Sequence, residues 1–324
     1  MGMRWYVARR LLWTVVVAFV IVSVTWALLR FTPDQDVLAA GQAAAQAGEN
    51  ATAAQERVRE LRGYNRPLWQ QYVDYMVDVF TLDWGFSESR SQPVTTAVWN
   101  SLSYTVQYSV PWTVGTLVFG TALGLYSAAN QYTWKDNAAT LFAFFGVSIP
   151  NFWFGIILLL VFAVQLQWVP VTFQTGVPVF SWANARQLVL PVVVLVTGSV
   201  GIIQRVSRNE SAEYLNTDFV KTARSKGVGE RRIITRHILR PASVPMSTTY
   251  VGSLLALFVG NSVLVEEVFS IPGLGRLLLQ AAVAQDTSLV LGTSFVFVAV
   301  AVLGNLVQDI VYTVLDPRID FSDR

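Results

Sequence analysis

The chain has 324 residues, of which 53% are hydrophobic and only 14% charged, and its net charge is +2. That balance excludes an ordinary soluble domain and a disordered chain, and it fits an integral membrane protein. Cysteine is absent and His237 is the single histidine, which excludes disulfides and Cys-based metal sites and leaves little for a His metal cluster or a catalytic dyad.

The first element is an apolar run, Leu11–Leu29, preceded by Arg4, Arg9 and Arg10. A helix needs about 20 apolar residues to cross a bilayer, and this run is too long for the core of a signal peptide. No small-x-small site follows Leu29, so a retained helix is predicted. Residues 31–100 come next. Ala39–Ala54 is rich in Ala, Gln and Gly, and ATAAQERVRELRG reads as a solvated helix ended by Gly63. Pro67 opens another helix, in which Leu68, Trp69, Tyr72, Tyr75, Met76 and Val79 recur at three and four. Such a helix lies on the membrane, packs on the spans, or offers a docking surface to an extracytoplasmic partner. Asn50-Ala51-Thr52 is a sequon, a triplet common by chance.

Five further spans are predicted: Tyr104–Ala128, Ala139–Val164, Leu188–Ile203, Met246–Val265 and Leu289–Val307. The fourth span of the chain is short, although Gly201 and Gln204 extend it into a polar vestibule. Pro150, Pro191 and Pro245 stand near span starts, where a missing N–H costs least, and read as helix-entry devices. Glycines at 115, 120, 124, 155, 252 and 260 read as helix-packing positions. Trp26, Trp99, Trp112, Trp168 and Trp182 suit an aromatic belt at the outer interface. The central stretches carry Thr113, Thr116, Ser148, Asn151, Ser199, Ser253 and Asn261 but no Lys or Arg. Acids fall at span ends, with Glu266 and Glu267 outside and Asp309 inside. A pathway without a midplane carboxylate argues against proton or sodium coupling. After the fifth span, Pro272, Gly273 and Gly275 mark a turn that, with Glu266, is either part of an outer gate or simply a tight turn.

Charge orients the chain. Residues 31–100 hold nine acids against five arginines, a net of −4; residues 205–240 hold nine basic residues against four acids, a net of +5. Six spans with both termini cytosolic put the basic segment inside and the acidic one outside, as the positive-inside rule requires. The expected division is therefore 1–30 (arm and first span), 31–100 (extracytoplasmic helical segment), 101–314 (transmembrane core with a cytosolic segment, 205–243) and 315–324 (tail).

The cytosolic segment is DFVKTARSKGVGERRIITRHILRPASVP, residues 218–245, with seven of the chain's Lys and Arg residues. Asp218 caps a helix with Phe219, Ala223 and Val228 near one face and Lys221, Arg224 and Lys226 elsewhere; Gly227 and Gly229 break it. A second helix from Glu230 brings Ile233, Ile234, Ile238 and Leu239 back toward the bilayer until Pro241. Residues alone leave two readings open: a helix inserted into a groove of a soluble partner, or a lipid-headgroup anchor. His237 reads as a surface or packing residue.

TARSKG followed by RHILRPASVP resembles the cytoplasmic coupling motif of binding-protein-dependent ABC importer permeases, in the form of the peptide/nickel subfamily. Aligned on Gly227, Lys221-Thr222-Ala223 occupies the place of the general E-A-A, so the acid is missing, and Pro241 falls one place late for I-x-L-P. YNRPLWQQYVDYM, DWGFSESRSQPV, GVSIPNFWFGIILLLVFAVQLQWVP and VEEVFSIPGLGRLLLQAA resemble, in order, the remaining segments of the B-type dipeptide and oligopeptide permeases. Residues 38–54 match nothing and read as an insertion. The resemblance implies an all-α polytopic membrane protein with six transmembrane helices in the type I ABC importer permease fold. It further implies that Asp218, Phe219, Lys221, Thr222, Ala223, Arg224, Lys226, Gly227, Val228, Glu230 and Arg231 engage an ATPase. The implied partners are a second permease subunit, two ATPase subunits, an extracytoplasmic substrate-binding protein and membrane lipid, with no nucleic acid, cofactor or metal. The implied location is the inner membrane of a prokaryote. No G-x-x-x-x-G-K-[ST] occurs, so ATP hydrolysis is expected in partner chains. Sugars, glutathione and nickel complexes are alternative cargoes for the same machinery. A secondary carrier is a more distant alternative, and an intramembrane hydrolase is the weakest.

Overall fold

The computed structural model describes residues 3–31, 34–260 and 262–315. These are almost wholly helical, and their contacts divide them into two compact units, one built mainly from Asn100–Arg276 and the other from Leu12–Trp99 with Leu277–Val302.

In the second unit, α1 (Met3–Phe31) carries the first apolar run. The Ala- and Gln-rich segment forms a helical hairpin, α2 (Gln35–Gln46) and α3 (Ala51–Leu61). Asn50 caps α3, its side chain accepting from Thr52 N–H at 3.0 Å and Ala53 N–H at 3.2 Å, so the sequon asparagine has a structural task. Helix α4 (Leu68–Thr81) opens at Pro67 as expected. Its Tyr72 packs edge-on against Trp26 (5.2 Å) and Phe19 (6.5 Å) of α1 and hydrogen-bonds Ser23 at 2.7 Å. Phe80 and Trp84 both pack edge-on against Phe295 of α14 (Thr287–Leu315). Helix α4 thus lies across the two spans, with Trp69, Val73 and Val77 exposed along one face and Asp74 and Asp78 on another. A two-residue ribbon, β1 (Phe86–Ser87) with β2 (Gln92–Pro93), is the one departure from an all-α chain among the described residues.

In the first unit, α5 (Val94–Ala129), α6 (Trp134–Ser148), α7 (Asn151–Leu158, continued in wide turns by Leu159–Gln165) and α8 (Trp182–Tyr214) surround a core of Tyr108, Trp112, Val194, Leu195, Val265 and Phe269. Close approach is set by small residues, as predicted. A Cβ on Gly124 would collide with Ser207 and the Gln204 carbonyl, and one on Gly120 with the Ile203 side chain.

Several expectations need correction. The predicted span Ala139–Val164 is not one straight helix; α6 and α7 meet at 95°. Ile149 precedes a proline and adopts extended geometry (φ −92°, ψ 127°), because the Pro150 ring excludes the helical region for its neighbour. Pro191 and Pro245 lie inside α8 and α11 (Leu239–Gly260) rather than at span starts. Trp112 is no belt residue: it is buried, and its Nε1–H donates to Ser199 Oγ at 3.3 Å. The fourth span is far longer than Leu188–Ile203, because Ser181 caps it early and Gln204 and Ser207 are buried within it. Among the described residues, four helices are long and apolar enough to cross a membrane, and the bent pair makes five. The remaining expected span, Met246–Val265, coincides with α11 and α12 (Ser262–Val268); Asn261, between them, lies outside the described residues, as do the side chain of Ser253 and the tail from 316.

Candidate functional site

Helix α8 runs to Tyr214, and after one turn the chain enters α9 (Asp218–Ser225). Thr217 rather than Asp218 is the N-cap residue (φ −71°, ψ 153°), and Asp218 sits in the first turn, where a negative charge favours the helix dipole. Helix α9 ends as its glycine predicts. Gly227 takes φ +74°, Val228 N–H donates to the Ala223 carbonyl at 3.1 Å and Gly227 N–H to that of Arg224 at 2.9 Å, the two bonds that close a helix on a left-handed residue. Then α10 (Glu230–Arg232) and the wide turns of Ile233–Ile238 lead into α11. Pro241 does not end this helix; the wide turns of Ile233–Ile238 run without a break into α11, of which Pro241 is the third residue.

The hairpin has its own small core. Val220, Ala223, Ile233 and Ile238 are buried, with Tyr214, Leu215, Val228 and Ile234 packed around them. Of the apolar residues expected on one face, Ala223 and Val228 therefore point inward, whereas Phe219 is 46% exposed and Val220 takes the inner place. The outer surface carries Asp218, Phe219, Lys221, Thr222, Arg224, Lys226, Glu230 and Arg231. Two ion pairs cross it, Lys221–Asp218 at 3.2 Å and Arg224–Glu230 at 2.7 Å. Lys226, Arg231 and Arg232 are exposed and have no ion pair among the described residues, so the surface that carries the exposed Phe219 is also basic. His237 is partly buried in the hairpin, as a packing residue would be.

The second predicted cluster also converges. Glu266 is fully buried, its Oε1 accepting from Tyr108 OH at 2.6 Å and Thr105 Oγ1 at 2.8 Å, and its Oε2 from Arg276 N–H at 2.8 Å. Leu274 N–H donates to Thr105 Oγ1 at 2.8 Å, so the carboxylate and the threonine together cap α13 (Leu274–Val283). Gly273 is required by close approach, because a Cβ there would overlap the Glu266 carboxylate. Pro272 and Gly275 complete the turn.

One polar site escaped sequence reasoning. Asp136, buried in the first turn of α6, takes both nitrogens of a fork from Arg208 of α8 (Nε 2.8 Å, Nη2 2.7 Å), the Tyr132 N–H at 3.1 Å and the Ser127 hydroxyl. Gln204 donates to Ser127 at 3.2 Å. An acid just ahead of a span and an arginine just past one were the available signal, but 72 positions separate them.

The chain matches two family models: "binding-protein-dependent transport system inner membrane component" over residues 120–321, and the corresponding N-terminal model over residues 3–114. It is 32% identical over 322 residues to the oligopeptide transport system permease protein AppB of Bacillus subtilis (strain 168), covering 98% of this chain and 99% of that one. The dipeptide transport system permease protein DppB of Alkalihalophilus pseudofirmus is 31% identical over 339 residues, with the same coverage of each chain. Among solved structures, the MetNI methionine ABC transporter in an inward-facing form matches with a TM-score of 0.50 and 17% identity, over 68% of this chain and 97% of that one, a likeness of fold. The multi-pass helical architecture and these two full-length matches agree: the chain belongs to the family of binding-protein-dependent transport system inner membrane components, the permease subunits of ABC importers.

Proposed function

We propose that this chain forms half of the membrane pathway of an importer for di- and oligopeptides, and that residues 218–231 are the point at which an ATPase subunit grips it. The observation that carries the docking assignment is the construction of the basic hairpin. It holds itself together through its own core, leaving Phe219, Lys221, Arg224 and Lys226 outward along α9 and its end. A short amphipathic helix with one exposed aromatic anchor suits a groove on a soluble partner. The cargo class rests on the named relatives.

Around this chain the reading places a second permease subunit, two ATPases below and a substrate-binding protein outside. Both termini lie on the ATPase side of a prokaryotic inner membrane. Nucleotide chemistry belongs to the partner chains. Because α8 passes into α9 through one turn, displacement of α9 by a closing ATPase pair acts directly on α8, and through Arg208–Asp136 on α6. Two states of the pathway then differ in contacts that ATP can bias.

The test uses the assembled transporter in liposomes. Phe219→Ser removes an exposed ring and leaves the hairpin core intact, so ATPases should co-purify poorly and substrate-stimulated ATP turnover should fall at least tenfold. Gly227→Trp, forced into a left-handed backbone, should do the same through the hairpin's shape. Ala223→Asp would bury a charge in the hairpin and serves as the disruptive control. Normal turnover in the Phe219→Ser and Gly227→Trp variants would remove the docking assignment.

A further inference from the structure

A cleft of about 370 Å³ opens among α1, α4, the turn after α3 and the start of α14. Its walls include Trp26 and Arg30 of α1, Arg66 of the turn before α4, Asp74 and Asp78 of α4, and Leu291 of α14. Its depth in the membrane follows from the spans that border it. Arg30 stands just past the apolar stretch Ala8–Leu28, and Leu291 lies in the first turns of Thr287–Val311. The cleft is therefore level with the zone where hydrocarbon gives way to headgroups, the depth at which Trp26 would also sit.

The charges in the cleft are unevenly spent. Arg62 pairs with Asp34 at 2.7 Å, and Arg66 with Asp74 at 2.9 Å. Arg30 has no ion pair among the described residues; its Nε is buried without a hydrogen-bond partner, and its guanidinium rests 5.1 Å from the centre of the Tyr64 ring. A buried donor left unpaired is costly and calls for a partner. On the α4 wall, Asp78 likewise lacks a cation, and burial, with Asp83 and Asp74 nearby, pushes its carboxyl above the ordinary range. One unspent cation and one unspent anion thus border one small cleft. Beside it, Val24 and Leu28 of α1 present exposed apolar surface running toward the membrane interior.

We propose that this cleft holds a phospholipid with a zwitterionic head, its phosphodiester on Arg30, its primary ammonium on Asp78 beside Asp74, and its acyl chains along Val24, Leu28 and Leu291. A primary ammonium suits the site better than a quaternary one because it donates hydrogen bonds to carboxylates. A zwitterionic peptide offers the same two charges but has no use for the apolar strip, which favours the lipid. The proposal needs only that the chain sits in a bilayer; it holds or fails independently of the cargo and of the ATPase contact.

The experiment is native mass spectrometry of the full-length chain in mild detergent, titrated with phosphatidylethanolamine, phosphatidylcholine, glycerophosphoethanolamine and dialanine. One retained phosphatidylethanolamine per chain is expected, with phosphatidylcholine bound about tenfold more weakly for want of its hydrogen bonds. Glycerophosphoethanolamine, the head without chains, should bind far more weakly than either. Arg30→Gln and, separately, Asp78→Asn should each weaken retention about tenfold, while Arg57→Gln, on an exposed face of α3, should leave it unchanged. Two independent cleft variants keep the test decisive if one fails to fold. Equal retention in both cleft variants, or dialanine displacing the lipid in an Arg30-dependent way, would overturn the proposal.

Discussion

At the residue scale, the most informative contact is the one between Asp136 and Arg208. The acid is nearly enclosed and its partner partly open to solvent. Replacing Asp136 by Asn leaves a guanidinium facing a neutral amide, at a cost of roughly 2–3 kcal/mol, since Arg208 can recover some hydration that a wholly buried partner could not. Thermal unfolding of the Asp136→Asn chain in detergent should shift downward, and adding Arg208→Gln should restore part of the loss rather than deepen it. A second drop of equal size would show that the two residues act separately. Neither this pair nor the Glu266 contacts with Thr105 and Tyr108 has a local signature. Glu266 and Gly273 were legible as an acid near a turn, but the partners that give the carboxylate its place are far away in the chain, and periodicity carries no record of distant pairing.

At the element scale, the basic hairpin was legible almost to the residue, because Gly227 and the charge pattern on either side of it act locally. Its inner face was not. Phe219 and Val220 exchange places relative to expectation, because burial is decided by the returning Ile233 and Ile238 rather than by α9 alone. Prolines misled for a related reason: Pro191 and Pro245 read as starts, yet tertiary packing carries the helix through them. The turn before α14 shows how a loop is tied. Asp286 accepts from Ser87 Oγ (2.6 Å), Ser89 Oγ (2.7 Å), Ser89 N–H (3.2 Å) and, as a helix cap, Leu289 N–H (3.0 Å). Burial raises its carboxyl pKa, but these donors outweigh burial and hold it below the usual range. A carboxylate depressed in the folded state contributes stability above its unfolded pKa of about 3.9 and loses it as pH falls through the folded value. The unfolding midpoint of the wild type should therefore exceed that of Asp286→Asn by a constant margin from neutral pH down to about pH 5, and the margin should close below about pH 4. A margin that widens on acidification would contradict the assignment.

At the scale of the whole molecule, the charge asymmetry of −4 against +5 predicts opposite sides for the two polar segments. The absence of native cysteine makes the test clean, since a single introduced thiol is the only one that can react. Cysteine at Ala45, exposed on α2, should be labelled by an impermeant maleimide from outside intact cells, and cysteine at Ser225, exposed on α9, only after the cells are opened. Labelling of both from the same side would sink the orientation. Composition and hydropathy announced the class and predicted six spans, of which four helices and one bent pair stand among the described residues; what they could not register is the 95° break within that pair.

That 95° break at Ile149-Pro150 has a consequence for the membrane as a solvent. An unbroken helix hides every peptide group from hydrocarbon, whereas an end within the bilayer leaves carbonyls on one side and amides on the other looking for partners. Two such groups find partners locally: Phe154 N–H donates to the Pro150 carbonyl at 3.0 Å, and Ser148 Oγ donates to the Phe144 carbonyl at 2.8 Å. Backbone of this kind persists at such a depth only where protein or water stands beside it. The bend therefore makes a dry passage through this part of the protein expensive. Under the proposed transport reading, it would give a hydrated solute a place to exchange water for peptide dipoles.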